Sequence, residues 1–148
     1  MIRVQINCMT EFTLDQAPGH LLRRAQQRAV ELFAAELGPD GPTPQQFALL
    51  LAVRQNPGIS QIGLVREIGV DRSTVAEMVQ RLARRGLIAR RRTAADGREN
   101  ALTLSAAGDR LVARALPAVS RAQSRILEPV PAPQRKAALQ LLRRLAGL

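Results

Sequence analysis

The sequence has no tryptophan, no tyrosine and only three phenylalanines among 148 residues, with one cysteine, Cys8, and one histidine, His20. One Cys and one His do not furnish the three or four ligands of a zinc site, and a lone Cys closes no intrachain disulfide. No metal and no cofactor are expected. The scarcity of rings removes the platforms on which readers of single-stranded nucleic acid stack bases, which leaves duplex DNA as the favoured nucleic acid. No run of about eighteen apolar residues exists to span a membrane. Met1 to Phe12 lack a cationic region followed by an apolar stretch and a small-residue cleavage site, so the protein is expected in the cytoplasm. Met9, followed by a polar lead-in, is a second candidate start. With no phosphate loop and no Gly-x-Ser-x-Gly elbow, nothing makes a set of nucleophile, base and orienter, and an enzyme is not expected.

What is present is positive charge. Twenty-two Lys+Arg against twelve Asp+Glu give +10, and every cation but Lys136 is arginine. The length fits one domain, and 46% apolar residues suffice for a core. The charge is local. Between Arg81 and Arg98, seven arginines (Arg81, Arg84, Arg85, Arg90, Arg91, Arg92, Arg98) face one acid, Asp96, so eighteen residues hold +6 and the other 130 only +4. Arginine's planar fork grips phosphate in two places and fits a narrow minor groove. Taken alone, such a run reads as a solvated basic face; its position in the chain decides the matter.

Proline, glycine and capping residues divide the chain. Leu22, Ala25, Ala29, Phe33 and Leu37 recur at helical spacing up to Gly38. Thr43, Pro44 and Gln46 form a capping box opening a second helix that ends near Asn56-Pro57-Gly58. Ser60 caps a short helix stopping at Gly69, and Asp71 caps another with Val75, Met78, Val79 and Leu82 on one face, ended by Gly86. Two helices joined by Gly69-Val70 make a helix-turn-helix. Leu87 to Arg90 and Ala101 to Leu104 read as strands flanking a polar turn that contains Asp96-Gly97. Ser105 caps a long helix that Pro117 is expected to kink or break. Pro129, Pro131 and Pro133 set off a last amphipathic helix with Ala138, Leu141, Leu142 and Leu145.

The segments Thr43-Pro44-Gln45-Gln46-Phe47, Val70-Asp71-Arg72-Ser73-Thr74-Val75, Arg81-Leu82-Ala83-Arg84-Arg85-Gly86-Leu87-Ile88 and Asp96-Gly97-Arg98 occur in order at suitable separations. Over roughly residues 20 to 146 the chain resembles the MarR family of winged-helix transcriptional regulators. The resemblance implies a single domain, mainly α with a small β-hairpin wing. It consists of a winged helix-turn-helix lobe (43–104) plus N- and C-terminal dimerisation helices (18–38 and 105–148). It implies a homodimer on a pseudopalindromic duplex, with residues 71–85 as recognition helix, Arg98 at the wing tip, and Asp96 holding Arg98 or a neighbouring arginine.

The helical wheel leaves Arg72, Ser73, Ala76, Glu77, Gln80 and Arg84 for the groove. Ser60, Arg92, Asp96 and Arg98 complete the candidate DNA contacts. Ser73 and Thr74, beside a helix N-terminus, suit phosphate oxygens; Gln80 suits adenine and Arg72 guanine. Glu77 either accepts from cytosine N4 or pairs with Arg81 four residues on.

The resemblance further implies a repressor released by a small aromatic or anionic effector held between the dimerising helices and the lobe. Aromatic acids and their coenzyme A thioesters are candidates. His20, Arg23, Arg24 and Gln27 are the polar groups proposed to meet it, with Phe47 as an apolar wall. The plain reading of the same residues is solvated arginines, or a pair with Glu31, and a core Phe. Peroxide sensing at Cys8 is disfavoured, because no tyrosine assists and no cationic or helix-end setting lowers the thiol pKa. Membrane docking of the basic C-terminal helix is disfavoured against a dimer seam. The alternative function is a winged-helix protein-interaction module, which the clustered arginines oppose.

Overall fold

The computed structural model describes residues 13–92 and 100–148. After a short 3-10 turn at Leu14–Gln16 come α1 (Pro18–Leu37), α2 (Pro44–Gln55), α3 (Gln61–Ile68) and α4 (Arg72–Arg84). The hairpin strands β1 (Ile88–Arg92) and β2 (Asn100–Leu104) follow, then α5 (Ala106–Ile126), a second 3-10 turn and α6 (Arg135–Leu145).

Local chemistry sets the helix starts. Thr43 Oγ1 accepts from the Gln46 N–H while Gln46 Oε1 accepts from the Thr43 N–H, both at 3.2 Å. Ser60, Asp71 and Ser105 each accept a backbone N–H three residues on, from Gly63, Thr74 and Gly108. Each such cap contributes about 1 kcal/mol. At the turn between α3 and α4, Gly69 adopts φ +66°, a left-handed conformation that a side chain resists.

One core runs through the molecule. Leu49, Leu50 and Val53 of α2, Leu64 of α3, Val75, Val79 and Leu82 of α4, Leu102 of β2 and Val112 of α5 are sealed from solvent. Phe33 of α1, with Val119 and Ala122 of α5, belongs to the same cluster, which ties the α1–α5 pair to the lobe. The hairpin is antiparallel, with Ile88 opposite Leu104 and Arg90 opposite Leu102. Ile59 adds a one-residue bridge: the Leu102 N–H donates to the Ile59 carbonyl at 3.0 Å, and the Gly58 N–H to the Leu102 carbonyl at 2.8 Å.

Pro117 does not break its helix, because α5 is continuous from Ala106 to Ile126. A proline removes a single ladder hydrogen bond, and buried residues on either side, Val112 before and Val119 and Ala122 after, hold the helix on its neighbours. The exposed position of Pro117 also keeps its ring out of the core.

Candidate functional site

The structure buries four residues of α4, Val75, Met78, Val79 and Leu82, against the lobe. That anchoring leaves Arg72, Ser73, Glu77, Gln80, Arg81 and Arg84 exposed along the other side, with Thr74 half-buried. At the far end the chain turns through Gly86, φ +69°, into β1, where Ala89, Arg90 and Arg91 are exposed. Exposed arginines thus stand both at the helix exit, Arg81, Arg84 and Arg85, and on β1, Arg90 and Arg91. Asp96 and Arg98 lie outside the described residues, as do the side chain of Arg92, Cys8 and Met9.

Hydrogen bonding on α4 adds detail that sequence spacing did not supply. The Ser73 hydroxyl donates to Asp71 Oδ1 at 2.5 Å and the Thr74 hydroxyl to Asp71 Oδ2 at 2.6 Å, beside the 2.9 Å cap from the Thr74 N–H. These donors hold the Asp71 carboxyl well below the usual carboxylate range. Both hydroxyls expected to meet phosphate are therefore engaged by Asp71 in the free protein. Glu77 pairs with Arg81, which selects between the two roles that the sequence leaves open for it in the absence of DNA. As an exposed i,i+4 pair it contributes only about 0.3–0.5 kcal/mol. Ser60, half-buried, caps α3.

The exit of α4 is fastened to α5. Ser105 Oγ donates to the Gly86 carbonyl at 2.6 Å while accepting the Gly108 N–H at 3.0 Å. The Ser105 N–H donates to the Leu87 carbonyl at 3.0 Å. A Cβ on Gly108 would stand 2.1 Å from that carbonyl oxygen, so glycine is what allows α5 to start against the end of α4. Arg54 of α2 pairs with Asp109 of α5 at 2.9 Å, and Glu36 of α1 receives Arg121 at 2.9 Å and Arg125 at 3.1 Å.

Between α1, α2 and α5 lies a crevice of about 510 Å³. Val30, Phe33, Phe47, Leu51, Val119 and Ile126 make its apolar walls, and Gln26 and Gln123 its polar groups. Phe33 and Phe47 meet there with ring centroids 6.2 Å apart and planes at 58°. Of the residues expected to hold an effector, Phe47 lines this crevice. His20, Arg23, Arg24 and Gln27 do not: His20 is half-buried one to two turns ahead of the crevice, Arg23 and Arg24 are exposed, and Gln27 donates to Glu31 at 2.9 Å. One residue is a 100° rotation on a helix, which sends Gln26 and Gln27 to different sides. Gln26, Phe33 and Gln123 are the crevice residues that spacing alone did not single out as a set.

α6 presents Leu139, Leu141, Leu142 and Leu145 to solvent and buries no residue. Leu21 and Leu22 of α1 are about half exposed. Among the described residues no helix is long and apolar enough to cross a membrane, and no cluster of three His, Cys, Asp or Glu is placed to hold a metal.

Comparison with known proteins gives one consistent answer. The MarR family model matches residues 40–99. The transcriptional regulator HosA of Escherichia coli O157:H7 is 32% identical over 133 residues, covering 90% of this chain and 97% of HosA. The PcaV transcriptional regulator of Streptomyces coelicolor, in complex with its natural ligand, superposes with a TM-score of 0.87 at 36% identity, covering 94% of this chain and 98% of PcaV. BpsR of Bordetella bronchiseptica, whose DNA binding is regulated by 6-hydroxynicotinic acid, superposes at 0.81 with 32% identity, covering 86% and 97%. The exposed arginines of α4 and β1 are set on a winged-helix fold, and the chain belongs to the MarR family of transcriptional regulators.

Proposed function

We propose that the protein is a homodimeric repressor that binds a pseudopalindromic duplex sequence-specifically and is released by a small aromatic acid. The observation that carries the reading is that the exposed arginine face and the aromatic crevice share one core. Phe33 and Phe47 belong to the same buried cluster as Val75, Val79 and Leu82 beneath the recognition helix. In this reading α4 enters the major groove and offers Arg72, Glu77, Gln80 and Arg84, while the hairpin brings Arg92, Asp96 and Arg98 to the flanking minor groove.

A second copy of the chain covers the apolar faces of α6 and the start of α1, which would otherwise leave five leucines of the last eleven residues in water. The segments 18–38 and 105–148 then dimerise and 43–104 reads DNA. The effector lodges between Phe33 and Phe47, with Gln26 and Gln123 meeting its polar groups. BpsR, with its regulation by an aromatic carboxylic acid, supports the effector class. Release needs an effector that binds the DNA-incompetent dimer more tightly than the DNA-bound one.

The test is fluorescence anisotropy on duplexes selected from a randomised pool, followed by titration with aromatic acids and their thioesters. Nanomolar binding that one of these compounds reverses is expected. Binding that none of them shifts rejects the effector assignment, and absence of duplex binding rejects the whole reading.

A further inference from the structure

The recognition helix is not uniformly basic. Its two acids, Asp71 at the cap and Glu77 six residues on, stand on the leading half, while Arg81, Arg84 and Arg85 stand on the trailing half next to the hairpin. Ser73 and Glu77, four residues apart, share a side of the helix with Arg81 and Arg84. Each acid holds the donors that an approaching phosphate would seek. Asp71 takes the hydroxyl protons of Ser73 and Thr74, at 2.5 and 2.6 Å, and Glu77 takes the guanidinium of Arg81.

Building on the DNA-binding reading above, we propose that Asp71 and Glu77 are specificity-determining residues that act as an acidic filter on the leading half of α4. A phosphate reaching this part of the helix meets two carboxylates and finds its donors already engaged. Exchanging Asp71 for phosphate on the two hydroxyls brings like charges together, so a contact made at random has little to gain. A base edge carrying an exocyclic amino group, such as cytosine N4, instead offers these acceptors a donor. Phosphate gripping is left to the arginines of the trailing half and the wing. Affinity for arbitrary duplex is therefore held down more than affinity for the cognate site, which raises the ratio between them. The hydroxyls of Ser73 and Thr74 hold the Asp71 carboxyl well below the usual carboxylate range, so Asp71 keeps its charge throughout the physiological pH range.

The substitutions Asp71→Asn and Glu77→Gln remove the charge and keep the shape. Asparagine caps helices as well as aspartate and retains an acceptor for the Thr74 N–H, but one oxygen cannot hold both hydroxyls. Affinity of the full-length double variant is measured for a 30-base-pair duplex of arbitrary sequence and for the tightest duplex recovered by selection with the wild type. Removing two exposed charges is expected to raise arbitrary-duplex affinity about five-fold or more at 0.1 M salt. Affinity for the selected duplex rises less or falls, and circular dichroism at the assay temperature shows the variant still folded, although loss of the Asp71 hydrogen bonds lowers its thermal midpoint. Arbitrary-duplex affinity that stays the same or drops overturns the filter, and so does an equal gain on both duplexes. A wild type that binds no duplex contradicts the DNA-binding reading instead, so the two failures are distinct.

Discussion

Phe33 of α1 and Phe47 of α2 face each other 6.2 Å apart, centroid to centroid, across the boundary between the α1–α5 pair and the winged lobe. Both residues are about 5% exposed or less, yet both line the crevice, so any molecule entering it touches the core on which α4 packs. Phe47→Ala should cost roughly 3–5 kcal/mol of stability, as large-to-small changes of buried rings do. Chemical denaturation checks the loss, and a cost under about 1 kcal/mol would place Phe47 outside the core.

Filling the crevice separates sensing from folding. Ala48 is half-buried on its wall. Ala48→Phe is expected to block the effector while DNA affinity stays within about two-fold of wild type. The ligand titration on bound duplex reads this directly, and an undiminished response to effector would move the binding site elsewhere.

Gly108 reports on the junction between α4 and α5. Gly108→Ala forces a methyl toward the Leu87 carbonyl oxygen, 2.1 Å from the ideal Cβ position. A loss of about 1–3 kcal/mol is expected, because a backbone atom must move to relieve it. Thermal unfolding measures the loss, and an unchanged midpoint would show that the junction relaxes freely.

Acid should weaken the clasp between α1 and α5. Hydrogen bonds and charge from Arg121, then Arg125, hold the Glu36 carboxyl below its ordinary value of 4.5. A depressed folded pKa adds stability that is fully present above the unfolded value and is lost as pH falls through the folded one. Wild type and Glu36→Gln should therefore differ in thermal midpoint at pH 7 and converge as pH drops below 4.5. A constant gap across that range would mean that the pair contributes nothing through ionisation.

Local signals in the sequence located the elements, and long-range ones were harder to see. Thr43, Ser60, Asp71 and Ser105 cap because each hydroxyl or carboxylate reaches an N–H only three residues away. The buried stripe Val75, Met78, Val79 and Leu82 follows from helical period alone. Pro117 misleads because its cost is local while the packing that holds α5 together is not. The Ile59–Leu102 bridge is one residue long and leaves no periodic trace. Crevice residues come from three helices far apart in sequence, and nothing in a single chain says whether Gln26 or Gln27 turns inward. The double clasp of Glu36 by Arg121 and Arg125, 85 and 89 residues away, was equally invisible.

The wing offers a separate test. Arg98→Ala is expected to weaken binding to the selected duplex about ten-fold while gel filtration still shows the dimer. Equal affinity would remove Arg98 from the minor groove.

Stoichiometry and salt dependence together test most directly whether a dimer grips duplex DNA through its arginines. Analytical ultracentrifugation of the complex with a selected duplex should show two chains per duplex. The log–log plot of affinity against salt should fall with a slope of about −5 or steeper, at about −0.9 for each phosphate neutralised. One chain per duplex, or an affinity that salt leaves unchanged, would contradict the account.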